Sequence, residues 1–110
     1  MVINMEIFDP VLFAKALADE TRQKIMKLCC CKWLSVNEIV ERLNVTQPTV
    51  SHHLSILREA GLVEVHEVGK QTFYKLNQKR ITACCGQLRT NFQSESEVIE
   101  IGTVSRVSFF

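Results

Sequence analysis

The chain has 110 residues, 46% of them hydrophobic, and 13 basic side chains stand against 12 acidic ones for a net charge of +1. That is one domain's worth of chain, with apolar material for a core that a small helical protein often completes by dimerising. It has no run of about 18 apolar residues to span a bilayer, no basic residue beside Glu6 and Asp9 to open a secretory leader, and no bulk basic charge, so a cytoplasmic protein without a membrane partner is expected.

Asp9-Pro10 reads as an N-cap followed by proline at the first helical position. Val11, Leu12, Ala14, Ala16 and Leu17 then make a short apolar helix. Asp19 caps a second helix, whose core stripe is Ile25, Leu28 and Cys29. Ser35-Val36-Asn37-Glu38 is a capping box for a third helix, with Val36, Ile39, Val40 and Leu43 on its apolar face. Asn44 ends it, being a residue that tolerates left-handed backbone. Thr46 is the expected side-chain cap of a fourth helix, with Pro48 in its first turn. Val50, Leu54 and Leu57 recur there at i, i+4 and i+7, and Gly61 stops the helix.

The period then changes. Leu62, Val63, Val65 and Val68 alternate with polar residues, Gly69-Lys70 follows, and Thr72 to Leu76 is again β-rich, which together read as a hairpin. Asn77 caps a last helix, with Ile81, Cys84, Cys85, Leu88 and Phe92 expected on one face. Residues 77–92 carry Lys79, Arg80 and Arg89 and no acid, whereas 93–110 carry Glu95, Glu97 and Glu100 against Arg106 alone. The expected organisation is a single domain over 1–92, with 93–110 an extra strand or a frayed tail.

Two short helices joined by a few residues, followed at once by a β-hairpin, describe a winged helix-turn-helix: mainly α with one hairpin. Such a fold needs a second helix that is apolar on one side and offers small polar side chains near its N-terminus to the major groove. Thr46, Gln47, Thr49, Ser51 and His52 fit that need. Glutamine pairs bidentately with adenine, and serine and threonine accept several partners. His53 is a candidate for the same interface or for packing against the body of the protein. Lys70 sits at the wing tip, within reach of a phosphate. Read alone, 46–60 is also compatible with a plain amphipathic surface helix; the hairpin behind it tells against that. His66 is expected to face solvent from its strand.

Over residues 11–92 the chain resembles the ArsR/SmtB family of metal- and stress-responsive repressors. The stretch Thr46-Gln-Pro-Thr-Val-Ser-His-His-Leu54, then Leu57-Arg-Glu-Ala-Gly-Leu-Val63, is close to that family's recognition helix, and Leu17-Ala-Asp-Glu-Thr-Arg22 resembles its second-helix entry. The resemblance implies a homodimer built on the first and last helices, operator DNA as partner, and release when an inducer binds. One family site is a Cys-x-Cys opening the helix before the recognition helix; Ser35 and Asn37 stand there instead. Another uses acids and histidines of the last helix, whose opening here reads Asn77-Gln-Lys-Arg80. Zinc and nickel sensing of either type is therefore disfavoured.

The remaining donors are thiols: Cys29, Cys30 and Cys31 at the end of the second helix, and Cys84 and Cys85 in the last. Five cysteines in two blocks do not resemble a secreted disulfide framework and read better as ligands or redox thiols of a reducing compartment. Residues 29 and 31 diverge by about 200° on a helix, so three regular helical neighbours cannot face one ion. Cys30, Cys31, Cys84 and Cys85 are the candidate sensing residues. Cys29 is the weaker one, because a free cysteine on a core stripe packs well. Soft thiolates select thiophilic ions, and trivalent arsenic, which takes three in a pyramid, is the expected inducer, with no obligatory cofactor. The alternative is a disulfide or polysulfide bridge between the two blocks. Lys27 and Lys32 flank the first block and are expected to lower a thiol pKa. An enzyme is not expected: the chain has no Cys-x-x-Cys and no cysteine beside a plausible general base. A winged-helix module that binds only protein is the remaining rival.

Overall fold

The structure is a computed structural model and describes residues 9–93. The expected extra strand or tail over 93–110 lies, Gln93 apart, outside the described residues.

Helix α1 (Pro10–Leu17) starts where expected: Asp9 Oδ1 accepts from the amides of Val11 and Leu12 at 3.0 and 3.2 Å. Helix α2 (Glu20–Leu28) starts at Asp19, whose Oδ1 accepts from Arg22 N at 3.0 Å. Strand β1 (Leu34–Ser35) runs straight into α3 (Val36–Leu43). The capping box is complete, with Ser35 Oγ accepting from Glu38 N at 3.2 Å and Glu38 Oε1 accepting from Ser35 N at 2.8 Å. Asn44 closes α3 in the left-handed region, at φ 57°.

Helix α4 (Gln47–Glu59) follows after three residues. Its N-cap departs from expectation, because Thr46 has cap backbone geometry but makes no side-chain bond to the helix. Its hydroxyl meets that of Thr49 at 2.9 Å instead. The C-terminal end of α4 is a full Schellman turn. Gly61 N donates to Arg58 O and Leu62 N to Leu57 O, both at 2.9 Å, around Gly61 at φ 75°. Leu62, the residue after the glycine, is then buried against the core.

Strands β2 (Val63–Val68) and β3 (Gln71–Leu76) form the hairpin, paired from Val63↔Leu76 to Val68↔Gln71. Gly69 takes φ 62° at the first position of the two-residue turn, the geometry that fits the twist of the flanking strands. The hairpin is not alone. β1 pairs antiparallel with β3, Leu34 opposite Tyr74, so the sheet has the order β1-β3-β2 and ties the entry of α3 to the wing.

Helix α5 (Gln78–Asn91), capped by Asn77 Oδ1 accepting from Arg80 N, packs back against α1. The core gathers one face of every element: Phe13 and Ala16 of α1, Ile25 of α2, Ile39 of α3, Val50, Leu54 and Leu57 of α4, and Cys84 of α5. The last helix divides the face expected of it. Ile81 and Leu88 join Cys84 against the core, but Cys85 is exposed and Phe92, just past the helix, is 77% exposed in the single chain. The five positions do share one arc of about 100°, but in the single chain the core covers its Cys84 edge and leaves its Cys85 edge outside.

The two left-handed glycines separate backbone strain from crowding. An added Cβ at Gly61 lies 3.1 Å from Arg80 Nε, whereas at Gly69 it meets nothing within 4 Å. Gly61→Ala should lose at least about 1–2 kcal/mol by urea denaturation, the cost of the left-handed backbone, because the new Cβ must also displace Arg80; an unchanged midpoint would contradict the turn described here.

Candidate nucleic-acid interface

Val50, Leu54 and Leu57 are each no more than 1% exposed, so one side of α4 is wholly committed to the core. The 3.6-residue period then dictates what faces away. Gln47, Thr49, Ser51 and His52 are all exposed, as is Thr46 at the cap. The first turn carries no acid, and its unpaired amides together with the helix dipole favour an anion at this end. Pro48 has no amide to give, at a position where none is required. Ser55 Oγ donates to His52 O at 2.8 Å. Lys70, in the hairpin turn, is exposed. Six of the seven residues expected at the interface thus lie on solvent-facing backbone of α4, its cap and the wing.

His53 is the exception. Its side chain is 12% exposed and turns inward, with Nδ1 accepting from Arg22 Nη1 at 3.0 Å. Nε2 lies 4.0 Å from Asp19 Oδ1, an electrostatic contact and not a hydrogen bond. Burial, above all, holds this imidazole below the usual histidine range; Asp19 opposes the shift, and Arg22 and His52 add to it. Of the two readings left open for His53, the structure displays the packed one. Arg22 itself was quoted in the sequence only as part of a helix entry, yet it is 8% exposed and holds three segments together.

His66 faces solvent as expected, but with company. Its ring lies 5.6 Å from that of Trp33, and Lys75 Nζ lies 5.9 Å from the Trp33 ring. The residues just before β1 thus reach the outer face of the wing, a juxtaposition that only the unforeseen third strand creates.

The thiols are placed as follows. α2 stops at Leu28, and Cys29 becomes its C-cap, fully buried, its carbonyl accepting from Leu76 N at 2.9 Å. Cys30 is partly exposed and Cys31 exposed; their sulfurs meet at 2.6 Å, and Cys30 O accepts from Gln78 Nε2 at 3.2 Å. Cys84 is buried in the core and Cys85 exposed. Among the described residues, no group of three or more His, Cys, Asp or Glu side chains is placed to hold a metal. A three-thiolate pyramid is therefore not preassembled among the described residues, and Cys30 and Cys31 are the two thiols whose sulfurs approach each other.

The expected activation of the first block is corrected. Burial, followed by the neighbouring Cys30, pushes the Cys29 thiol up to about 11. The contact with Cys31, then burial, raises Cys30, and Lys32 opposes this only as the smallest influence. Burial raises Cys84 as well, tempered by Arg80. At Cys30 the adjacent Cys31 sulfur and burial outweigh Lys32 because they act on the sulfur directly, while the ammonium group stands in water.

Three comparisons bear on this arrangement. Residues 19–65, from the α2 cap into the first wing strand, match the family model described as bacterial regulatory protein, arsR family. The transcriptional repressor SdpR of Bacillus subtilis is 38% identical over 63 residues, which cover 57% of this chain and 70% of SdpR. The arsenic resistance transcriptional regulator ArsR1 of Pseudomonas putida is 37% identical over 73 residues, 66% of this chain and 57% of that protein. The solved structure of HlyU from Vibrio cholerae superposes with a TM-score of 0.62 at 33% identity, over 74% of this chain and 89% of HlyU. That protein is named a transcriptional activator. The family match runs through the recognition helix into the first strand of the wing, and no helix among the described residues is long and apolar enough to cross a membrane. The exposed polar tip of α4, the wing and these likenesses agree, and the chain belongs to the arsR family of bacterial regulatory proteins, a DNA-binding transcriptional regulator of winged helix-turn-helix fold.

Proposed function

We propose that the chain is a homodimeric operator-binding repressor, cytoplasmic, that leaves its DNA when its cysteine thiols take a thiophilic inducer, As(III) first among them. The observation that carries the DNA half is the outward polar tip of α4 over a wholly buried seam. Gln47, Thr49 and Ser51 are the base-reading candidates, His52 and Thr46 lie beside them, and Lys70 takes a phosphate. The net charge of +1 makes a single copy a weak binder, so two copies reading two half-sites suit this chain. Val11 on α1 and Phe92 after α5, 73% and 77% exposed, are apolar area that a second copy covers. Repression is taken from the likeness to SdpR, a transcriptional repressor.

The inducer half rests on Cys30 and Cys31, which present two touching sulfurs at the junction of α2 with the wing and α5. Binding a soft ion displaces the thiol protons, so a raised thiol pKa weakens the site at low pH without disabling it. Peroxide oxidation depends on pre-existing thiolate, which is scarce at Cys29, Cys30 and Cys84. That weighs on both chemistries, and the soft-ion reading is favoured over a disulfide or polysulfide bridge between the two blocks because the sulfurs that meet, Cys30 and Cys31, belong to one block. Cys84 and Cys85 are the donors that α5 can add once it shifts, and a third sulfur is what arsenic requires.

Binding to operator duplexes by fluorescence anisotropy tests the DNA half. Gln47→Ala and Ser51→Ala should each cost about 1–3 kcal/mol on the operator and little on unrelated DNA. Lys70→Ala should weaken both alike and lower the salt slope by about one per subunit. Losses that are equal on all sequences for Gln47 and Ser51 would reject base reading. For the inducer half, arsenite added to the fully reduced complex should release DNA from the parent and not from Cys30→Ser/Cys31→Ser. Unchanged affinity in the parent would remove As(III) and leave the DNA half standing.

A further inference from the structure

Arg22 is a cation buried to 8% exposure near the start of α2, with all its nitrogens engaged. Nε donates to Ala16 O at 3.0 Å and Nη2 to Lys15 O at 2.8 Å. These are carbonyls of the last turn of α1, which lack the regular helical partner, Lys15 O taking besides only the C-cap amide of Ala18 at 3.2 Å. Nη1 donates to His53 Nδ1 at 3.0 Å. One planar fork therefore caps α1 and reaches the middle of α4, while its own backbone amide is held by Asp19. The short loop between α1 and α2 is closed on the other side by Gln23 Nε2, which donates to Leu17 O at 2.7 Å.

The fork dictates the state of the imidazole. A guanidinium has five donors and no acceptor, so the nitrogen facing it must carry a lone pair. His53 is thereby fixed with Nδ1 bare and its proton on Nε2, the side of Asp19. A second proton, on Nδ1, removes the acceptor and sets two N–H donors and two cations against each other in a largely buried space. The charged and titratable groups that face the ring are Arg22 of α2, Asp19 at its cap and His52 on α4. Only Asp19 favours the protonated ring, from 4.0 Å.

Geometry gives this contact a meaning beyond stability. The apolar seam decides which side of α4 faces the core, but apolar contacts, being non-directional, resist small rotations about the helix axis only weakly. The Arg22–His53 bond is directional and lies immediately after the turn that carries Gln47, Thr49, Ser51 and His52. It links that turn to α1, the helix whose exposed Val11 marks it for the second copy.

We propose that Arg22 and neutral His53 are positioning residues for operator binding: a strut from the α1–α2 corner that sets the rotation of the recognition helix relative to the dimer. The proposal rests on α4 being the reading helix, and it assigns no DNA contact to either residue. Its pH dependence has a definite sign. Above the ordinary histidine range the ring is neutral whether the chain is folded or not, and the strut is intact. As pH falls through about 6.5 toward the depressed folded value, the unfolded chain takes the proton more readily. Stability and operator affinity then decline together.

The first test uses the parent protein without DNA. Nitrogen-15 shifts of the His53 ring should report the Nε2–H tautomer and a titration below that of an unstructured histidine. An Nδ1–H tautomer, or titration at the ordinary value, overturns the strut whatever the DNA does. The second test reads operator affinity. His53→Ala and Arg22→Lys should each lose about ten- to a hundred-fold, the weight of a charge-assisted hydrogen bond. His53→Asn, whose side-chain oxygen replaces Nδ1 as a non-titrating acceptor, should recover most of the His53→Ala loss. It should also lose less affinity than the parent between about pH 8 and about pH 5. Parallel pH profiles for the parent and His53→Asn would overturn the positioning role. A parent that fails to bind any duplex while showing the expected tautomer would instead refute the reading of α4 on which the role rests.

Discussion

The burial of one side of α4 is the constraint from which the rest of the molecule follows. Val50, Leu54 and Leu57 sit at i, i+4 and i+7 and are removed from water almost completely. Each such side chain contributes about 1.5–3 kcal/mol relative to exposure, which is large beside the roughly 5–15 kcal/mol that a domain has in total. Turning the helix to bury Gln47 or Ser51 would forfeit that gain and strand their polar groups without partners. The polar tip therefore faces outward because the seam leaves it no alternative. The wing is placed by the same seam, since the Schellman turn at Gly61 delivers Leu62 into the core and launches β2 beside α4.

Local chemistry was the legible part of the sequence. Asp9, Asp19, Ser35 and Asn77 cap the helices they were expected to cap. Asn44 and Gly61 take the left-handed backbone expected of them, and the hairpin turns at Gly69-Lys70. These signals act across three or four residues and need no tertiary partner. What escaped was long-range. β1 is two residues long, and its pairing with Tyr74 and Phe73 leaves no periodic trace next to the capping box that follows it. Arg22 looks in sequence like a solvated cation; its burial depends on the carbonyl end of α1 and on a histidine thirty-one residues away. Thr46 spends its hydroxyl on Thr49, a choice between two equally short reaches.

The cysteines show the same divide. Their clustering is plain in the sequence, but their orientation follows from where α2 stops. Cys29 keeps to the core stripe it shares with Ile25 and Leu28, and because the helix ends at Leu28, Cys30 and Cys31 leave it. Burial then raises Cys29, helped by Cys30, and raises Cys84 against the pull of Arg80. The two blocks thus divide into thiols that pack, Cys29 and Cys84, and thiols that meet solvent, Cys30, Cys31 and Cys85. The Cys29 and Cys30 carbonyls also fasten the end of α2 to β3 and α5, through Leu76 and Gln78. A ligand that pulled on the adjoining sulfurs would strain bonds joining this corner to the wing and the last helix, which is the kind of two-site linkage that allostery requires.

The central claim is that two copies of the polar tip of α4 enter successive major grooves on one face of a duplex. Methylation interference at guanine N7 on an operator fragment tests it most directly, because that atom is exposed only in the major groove. The account predicts two clusters of interfering guanines centred about ten base pairs apart, or a multiple of that spacing, on the same face. A single cluster, or binding indifferent to N7 methylation, would contradict it.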